Sequence, residues 1–289
     1  MPTPASRLRQ LLTEKRAHVA PAVFNPLSAL LADQAGFSML YLGGGTLGYL
    51  KCCLEANLNI TELCQAGIEI RAVTAKPLIL DAAAGFGDPM HIHHTMQMAE
   101  AAGFAAIEIE DQILPKRAHH HVGIEHMVPQ ELMVAKVREA VRARRDPDFV
   151  IIARTNGVRQ TGMDDAIGRA RAYRDAGADM IYIGARTPDE ARRIATELPP
   201  PFMMSLPGHG ATAAGLPLAE LGALGFSILA SSISAYAFHR AMKRSYERLV
   251  RGEPDPAFQG TTHHEEQDAL HHTIGMNDML AVEKATVEK

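Results

Sequence analysis

Residues 99–109, AEAAGFAAIEI, decide the fold: an Ala-rich helical end, a glycine at 103, then a short β-prone run. Glycine just past a helix takes the left-handed conformation that closes the last turn, and a buried strand follows it. The same phrase returns as ADQAGFSMLYL at 32–42, YRDAGADMIYI at 173–183 and LGALGFSILA at 221–230, around Gly36, Gly177 and Gly225. Four further apolar runs lie between them: VAPAV at 19–23, PLILD at 77–81, FVIIA at 149–153 and PFMMS at 201–205. Helical patterns over 27–35, 61–74, 90–102, 129–144, 163–176, 187–197, 217–224 and 233–251 fill the intervals. Eight strands alternating with eight helices predict a (β/α)8 TIM-type barrel. A doubly wound open sheet fits less well, because no G-x-G-x-x-G follows an early strand.

Composition narrows the class of function. The 289 residues carry 29 Lys+Arg against 33 Asp+Glu, a formal net charge of −4, which argues against a nucleic-acid binder held by phosphate contacts. Hydrophobic residues make up 47% of the chain, enough for a large core. No apolar run reaches the roughly 20 residues that span a bilayer, and the polar start MPTPASRLRQLLTEKRA lacks a signal-peptide core. The three cysteines, Cys52, Cys53 and Cys64, form neither a disulfide framework nor a zinc pair. Cys52 and Cys53 are expected to be packed. A cytoplasmic protein is expected, without nucleic-acid or membrane partners. No linker interrupts residues 1–251, which read as the barrel. Residues 252–289 read as a polar, Pro-containing linker and a helical tail, NDMLAVEKATVEK, too poor in apolar residues to bury itself. Docking of that tail on a neighbouring protomer is expected.

In such a barrel, chemistry belongs at the C-terminal ends of the strands and in the loops that follow. The second strand is followed by Gly43-Gly44-Gly45-Thr46, a tight turn or a set of backbone donors for an anion. The third ends in Asp81, a metal ligand or a helix cap. The fourth ends in Glu108, Glu110, Asp111 and Gln112 and leads into Pro115-Lys116-Arg117-Ala118-His119-His120-His121; the fifth ends in Arg154-Thr155-Asn156. Glu108 and Glu110 share one face of their strand, and Glu110 is preferred for the site, Glu108 for a structural ion pair. Acids facing an arginine suit a divalent cation beside a guanidinium fork for a carboxylate. His91, His93, His94, His263, His264, His271 and His272 read as surface or interfacial, and Met96, Met98, Met203 and Met204 as core.

The segments FNPLSALLADQAGF, LDAAAGFGDP, IEIEDQILPKRAHHHVG and DFVIIARTN, in this order, resemble the isocitrate lyase/phosphoenolpyruvate mutase superfamily, from about residue 8 to 250. The resemblance covers its methylisocitrate lyase, carboxyphosphonoenolpyruvate mutase and oxaloacetate decarboxylase branches. It implies a homotetramer with C-terminal helices exchanged between partners. It also implies Mg2+ and a small 2-oxo or 2-hydroxy carboxylate handled through an enolate-like intermediate. By position, Asp81 and Glu110 match the metal-binding acids, and Arg154 the arginine that grips the substrate carboxylate. Lys116 and His120 match the mobile loop over the site; Gly44, Gly45 and Thr46 match the turn whose amides receive the substrate oxyanion.

Several positions depart from the family pattern. Ala83 and Asn57 stand where carboxylates are usual, Asn25 replaces an Asp, and Ala118 replaces the cysteine that serves as acid/base. Gly184 replaces a Glu, and Met203-Met204-Ser205-Leu206 replaces an Asn-x-x-Glu. Two acids around the cation instead of three or four predict weak Mg2+ binding, restored by Ala83→Asp with Asn57→Asp. Gly184, Met203 and Leu206 predict a more apolar pocket. Without the thiol, His119, His120 or His121 is the expected proton donor. Lyase or decarboxylase chemistry on a small oxo- or hydroxy-acid is the favoured expectation. A non-catalytic carboxylate-binding descendant and a C–C or P–C hydrolase are the alternatives.

Overall fold

The computed structural model describes residues 2–288 apart from 208, 209 and 211. Its strands are β1 (His18–Pro21), β2 (Leu40–Leu42), β3 (Leu78–Asp81), β4 (Ala106–Glu110), β5 (Val150–Thr155), β6 (Met180–Ile183), β7 (Phe202–Ser205), β8 (Thr212–Ala213), β9 (Leu216–Pro217) and β10 (Phe226–Ser231). β8 and β9 form a small antiparallel hairpin; the other eight make one parallel sheet in the order β1-β10-β7-β6-β5-β4-β3-β2. A parallel bridge from Ala22 to Tyr41 joins the two ends, with the Val23 N–H donating to the Tyr41 carbonyl at 2.9 Å. The sheet is therefore an eight-stranded barrel, as the repeated phrase predicts.

The four glycines of that phrase do what the phrase requires. Gly36, Gly103, Gly177 and Gly225 have φ of 89°, 80°, 106° and 94°, the left-handed region where a Cβ is costly. Each closes a helix and returns the chain to a strand whose residues are buried throughout: β2, β4, β6 and β10. The interior is filled from both sides of these strands by Ile, Leu, Val and Met, including Met96, Met203 and Met204.

The sheet register sets up the site. Asp81 pairs with Glu108, Glu110 with Arg154, Arg154 with Tyr182, and Tyr182 with Met203. Because side chains alternate along a strand, these partners point to one face, side by side around the barrel mouth.

Three expectations need correction. Gly44–Leu50 is a helix rather than a plain turn. Cys52, at φ 57°, is exposed rather than packed as expected, whereas the half-buried Cys53 packs against the core and Cys64 is buried. The stretch expected as a polar linker contains a helix, His263–Ile274, before the tail helix Met276–Thr286. Its start is a capping box: the Thr262 hydroxyl accepts from the Glu265 N–H while the Glu265 carboxylate accepts from the Thr262 N–H. Gln34 donates to the Thr273 carbonyl at 3.3 Å, so this helix also touches its own barrel.

Candidate active site

Carboxylates gather where the strands end. Asp81 accepts from the Gly44 N–H at 3.0 Å and, through its other oxygen, from the Ala83 N–H at 3.0 Å. One end of the helix Gly44–Leu50 is thereby tied to β3. The Gly44 amide, expected to receive a substrate oxyanion, is taken by Asp81 instead; Gly45 and Thr46 follow it in the first turn. Ala83, at φ 47°, turns its carbonyl to the Glu110 N–H at 2.8 Å. The position that lacks a carboxylate thus holds β4 through its backbone.

Glu110 and Glu108 are both buried. Lys116 makes a hydrogen-bonded ion pair with Glu110 Oε1, and Asn156 Nδ2 donates to Glu110 Oε2 at 2.9 Å. Burial pushes the Glu110 carboxyl upward, but the Arg154 and Lys116 charges outweigh it and hold it down to about 2. Glu108 accepts from the Tyr41 hydroxyl at 2.9 Å and from Arg154 Nη1 at 2.9 Å. Its carboxyl is raised to about 8, first by burial and then by the Asp81 charge, against the pull of Arg154. Glu108 thus meets Arg154 as the structural partner expected, with a carboxyl that keeps its proton to higher pH, and is also a member of the same cluster.

A third residue was not legible as a site acid. Glu55, in the loop after the helix Gly44–Leu50, is buried with Oε1 against the Lys116 ammonium, off the direction of a regular hydrogen bond. Its carboxyl is raised by burial and by Asp81 and lowered by Lys116. Gly48 makes this approach possible, since a Cβ there would lie 2.8 Å from the Glu55 N. The acid expected near Asn57 is therefore supplied two residues earlier. Asn57 itself is exposed, and its side chain accepts from the Leu54 N–H at 3.2 Å. Glu55, Asp81, Glu108 and Glu110 thus gather around Lys116 and Arg154. Asn25 is a helix cap, its side chain accepting from the Ser28 N–H at 2.8 Å.

Arg154 is the hinge of the cluster. Its Nε lies 3.4 Å from Glu110 Oε2 and 3.3 Å from Asn156 Oδ1, and its guanidinium stacks over Tyr182, 4.6 Å from the ring centroid. It borders a cavity of about 190 Å³ walled by Thr155, Asn156, Tyr182, Gly184, Arg186, Met204 and Ser205. The Tyr182 hydroxyl and Ser205 are hydrogen-bonded to each other. Val158, Ala185 and Pro207 join Met204 to complete the wall, so polar and apolar groups share it and the pocket is only in part the apolar one expected. Gly184 leaves open space, whereas Met203 is wholly buried in the barrel and Leu206 lies away from the cavity.

The loop after β4 carries the histidines. Ala118 is exposed and has no acid/base function to offer. His119 and His126 pair at 3.2 Å, and His121 meets the Tyr49 hydroxyl at 2.9 Å. His120 alone reaches the acid cluster: Nδ1 lies 2.8 Å from Glu125 Oε2 and Nε2 lies 3.4 Å from Glu55 Oε1. Arg159 holds Glu125 from the other side at 3.1 Å.

The donor chemistry suits a hard divalent cation, because every acid offers carboxylate oxygen and Glu55 Oε1 has no regular hydrogen bond. Among the described residues, however, no three His, Cys, Asp or Glu side chains already converge as ligands. The Lys116 ammonium sits against two of the acids.

A parallel barrel with an acid cluster, a buried lysine and an arginine at its C-terminal mouth defines the class, a (β/α)8 barrel with a charged mouth. The chain belongs to the phosphoenolpyruvate phosphomutase family, within the isocitrate lyase/phosphoenolpyruvate mutase superfamily, and the family pattern matches residues 8–250. It is 34% identical to 2,3-dimethylmalate lyase of Eubacterium barkeri over 82% of this chain and 83% of that one. It is 38% identical to 2-methylisocitrate lyase of Aeropyrum pernix over 72% of this chain and 68% of the relative. The crystal structure of a phosphonopyruvate hydrolase complex with oxalate and Mg++ superposes with a TM-score of 0.84 at 30% identity, covering all of both chains. Among the described residues, no helix is long and apolar enough to cross a membrane.

Proposed function

We propose that the protein is a carbon–carbon lyase for a compact 2-hydroxy dicarboxylate of the malate type. The observation that carries this is Arg154, held by Glu108, Asn156 and Tyr182 beside a small cavity of mixed polar and apolar lining. About 190 Å³ is well below the roughly 300–1,000 Å³ of pockets for drug-sized ligands. The relative named for 2,3-dimethylmalate supports the same class of substrate, and the one named for the tricarboxylate 2-methylisocitrate supports lyase chemistry on a hydroxy acid.

In this proposal the guanidinium takes the carboxylate beside the hydroxyl carbon, a bidentate fit that a lysine would not reproduce. The hydroxyl proton leaves to a base, the C–C bond next to that carbon breaks, and the hydroxyl carbon becomes the carbonyl of a 2-oxo acid. The bonding pair stays on the departing carbon as a carboxylate-stabilised enolate, which takes up one proton. His120 handles protons here, since Glu125 orients its Nδ1 and leaves Nε2 toward the cluster. Asp81, Glu110 and Glu55 would hold Mg2+, which when bound would stabilise the developing enolate charge.

The test is direct. Purified protein with Mg2+ is expected to release a 2-oxo acid from 2,3-dimethylmalate or a close malate homologue, measured as its hydrazone. Arg154→Lys is expected to lower kcat/KM by roughly 100-fold. No release from malate-type or methylisocitrate-type substrates by folded protein would refute the proposal.

A further inference from the structure

The loop between β4 and the helix Gln130–Ala143 inverts the usual rule of burial. From residue 114 to 124 the only buried side chain is a lysine, Lys116, while Leu114, Val122 and Ile124 are exposed. The base of the loop is anchored by backbone bonds, from the Ile113 N–H to the His126 carbonyl at 2.8 Å and from the Val128 N–H to the Asp111 carbonyl at 2.8 Å. Its outer part has no such ladder and folds as a single 3-10 turn, Ala118–Val122. What seats that part on the barrel is polar contact: the Lys116 ammonium against Glu55 and Glu110, His120 between Glu125 and Glu55, and His121 against the Tyr49 hydroxyl at 2.9 Å. A buried ion pair persists only where both partners are satisfied, and here the ammonium is satisfied by the oxygens best suited to a cation.

We propose that Lys116 is a built-in counter-cation, standing in the acid cluster when the site is empty and displaced from Glu55 and Glu110 when a divalent cation binds. This rests on the assignment of those acids to Mg2+ in the lyase proposed above. The ammonium and the metal compete for the same oxygens, so the intrinsic affinity of the cluster is masked by its own lysine. Weak Mg2+ binding then follows from occupancy by Lys116 rather than from missing acids. Displacement also loosens the outer loop, which then keeps only the contacts of His120 with Glu125 and of His121 with Tyr49. Lys116 is left to find an anion in the incoming substrate, which links loop closure to substrate rather than to metal.

Two measurements on the full-length protein test this, and both read binding or conformation instead of turnover. Calorimetric titration with Mg2+ is expected to give Lys116→Met an affinity roughly tenfold or more above that of the native protein, since one charge-assisted competitor has been removed. Trypsin cleavage after Lys116 or Arg117 in the native protein is expected to quicken as Mg2+ saturates the site, which needs no variant to fold. Equal or weaker binding by a folded Lys116→Met, or cleavage unaffected or slowed by Mg2+ alone, would overturn the displacement. Equal binding by both proteins would leave the lyase assignment standing, whereas Mg2+ binding to neither would remove the metal from both proposals.

Discussion

Single residues at the barrel mouth are tuned by burial and by charges a few ångströms away. Glu108 is the clearest instance: its carboxyl is raised from 4.5 to about 8 by burial and by Asp81. Between those two values the folded protein keeps a proton that the unfolded chain has released, so the residue costs stability progressively as pH rises through the window. Glu108→Gln removes that proton exchange. Its advantage in stability over the native protein is therefore expected to be small near pH 5 and larger near pH 9, by an amount on the order of a few kcal/mol. Thermal melts at the two pH values check the sign; a constant difference would show that Glu108 is ionised throughout. His120→Asn is expected to leave the fold intact and lower kcat by about 10²-fold or more, the scale of general acid–base catalysis. Steady-state kinetics beside His119→Asn, which lies outside the cluster, separates the two histidines.

At the scale of elements, the outcome depends on how loops and helix starts are tied down. The helix His263–Ile274 is exposed along its whole length apart from partial cover at His271 and Thr273. Its reciprocal Thr262–Glu265 cap is therefore a large share of what holds its first turn. Thr262→Ala is expected to cost that helix about 1 kcal/mol, seen as faster hydrogen exchange at residues 263–267, with the barrel amides unchanged. The signal T-x-x-E stood in the sequence, but the surrounding Pro, Gly and His masked it as a linker. Glu55 was hidden for another reason. It sits in no strand and no regular pattern, and its burial comes from Gly48 allowing the next segment to cross within van der Waals contact. Asp81, Glu110 and Arg154, by contrast, were legible because a strand end in a barrel is a fixed address.

For the whole molecule, we propose a homotetramer in which residues 252–289 dock on a neighbouring protomer. The tail helices leave Leu270, Met279, Leu280 and Val282 about half exposed, and the long helix Ile233–Val250 leaves Tyr246, Leu249 and Val250 more exposed still. Such apolar surface is more than a monomer ordinarily shows and is the kind that oligomers cover. Light scattering is expected to give four times the 31.3 kDa protomer mass, and a chain ending at Arg251 is expected to give a smaller species with the barrel still folded. A monomer at micromolar concentration in the full-length protein would refute the assembly.

The sequence by itself determined the barrel and put Asp81, Glu110 and Arg154 at strand ends, because helix-closing glycines and short apolar runs are local signals repeated along the chain. Only the tertiary structure decided what those residues touch. Asp81 takes the Gly44 amide, Glu108 joins the cluster, Glu55 arrives from a loop, and Lys116 turns inward to stand between acids. The physical reason is that the spacing of a strand follows from its own residues. The partner of a buried charge instead depends on which distant segments the closed barrel brings within a few ångströms.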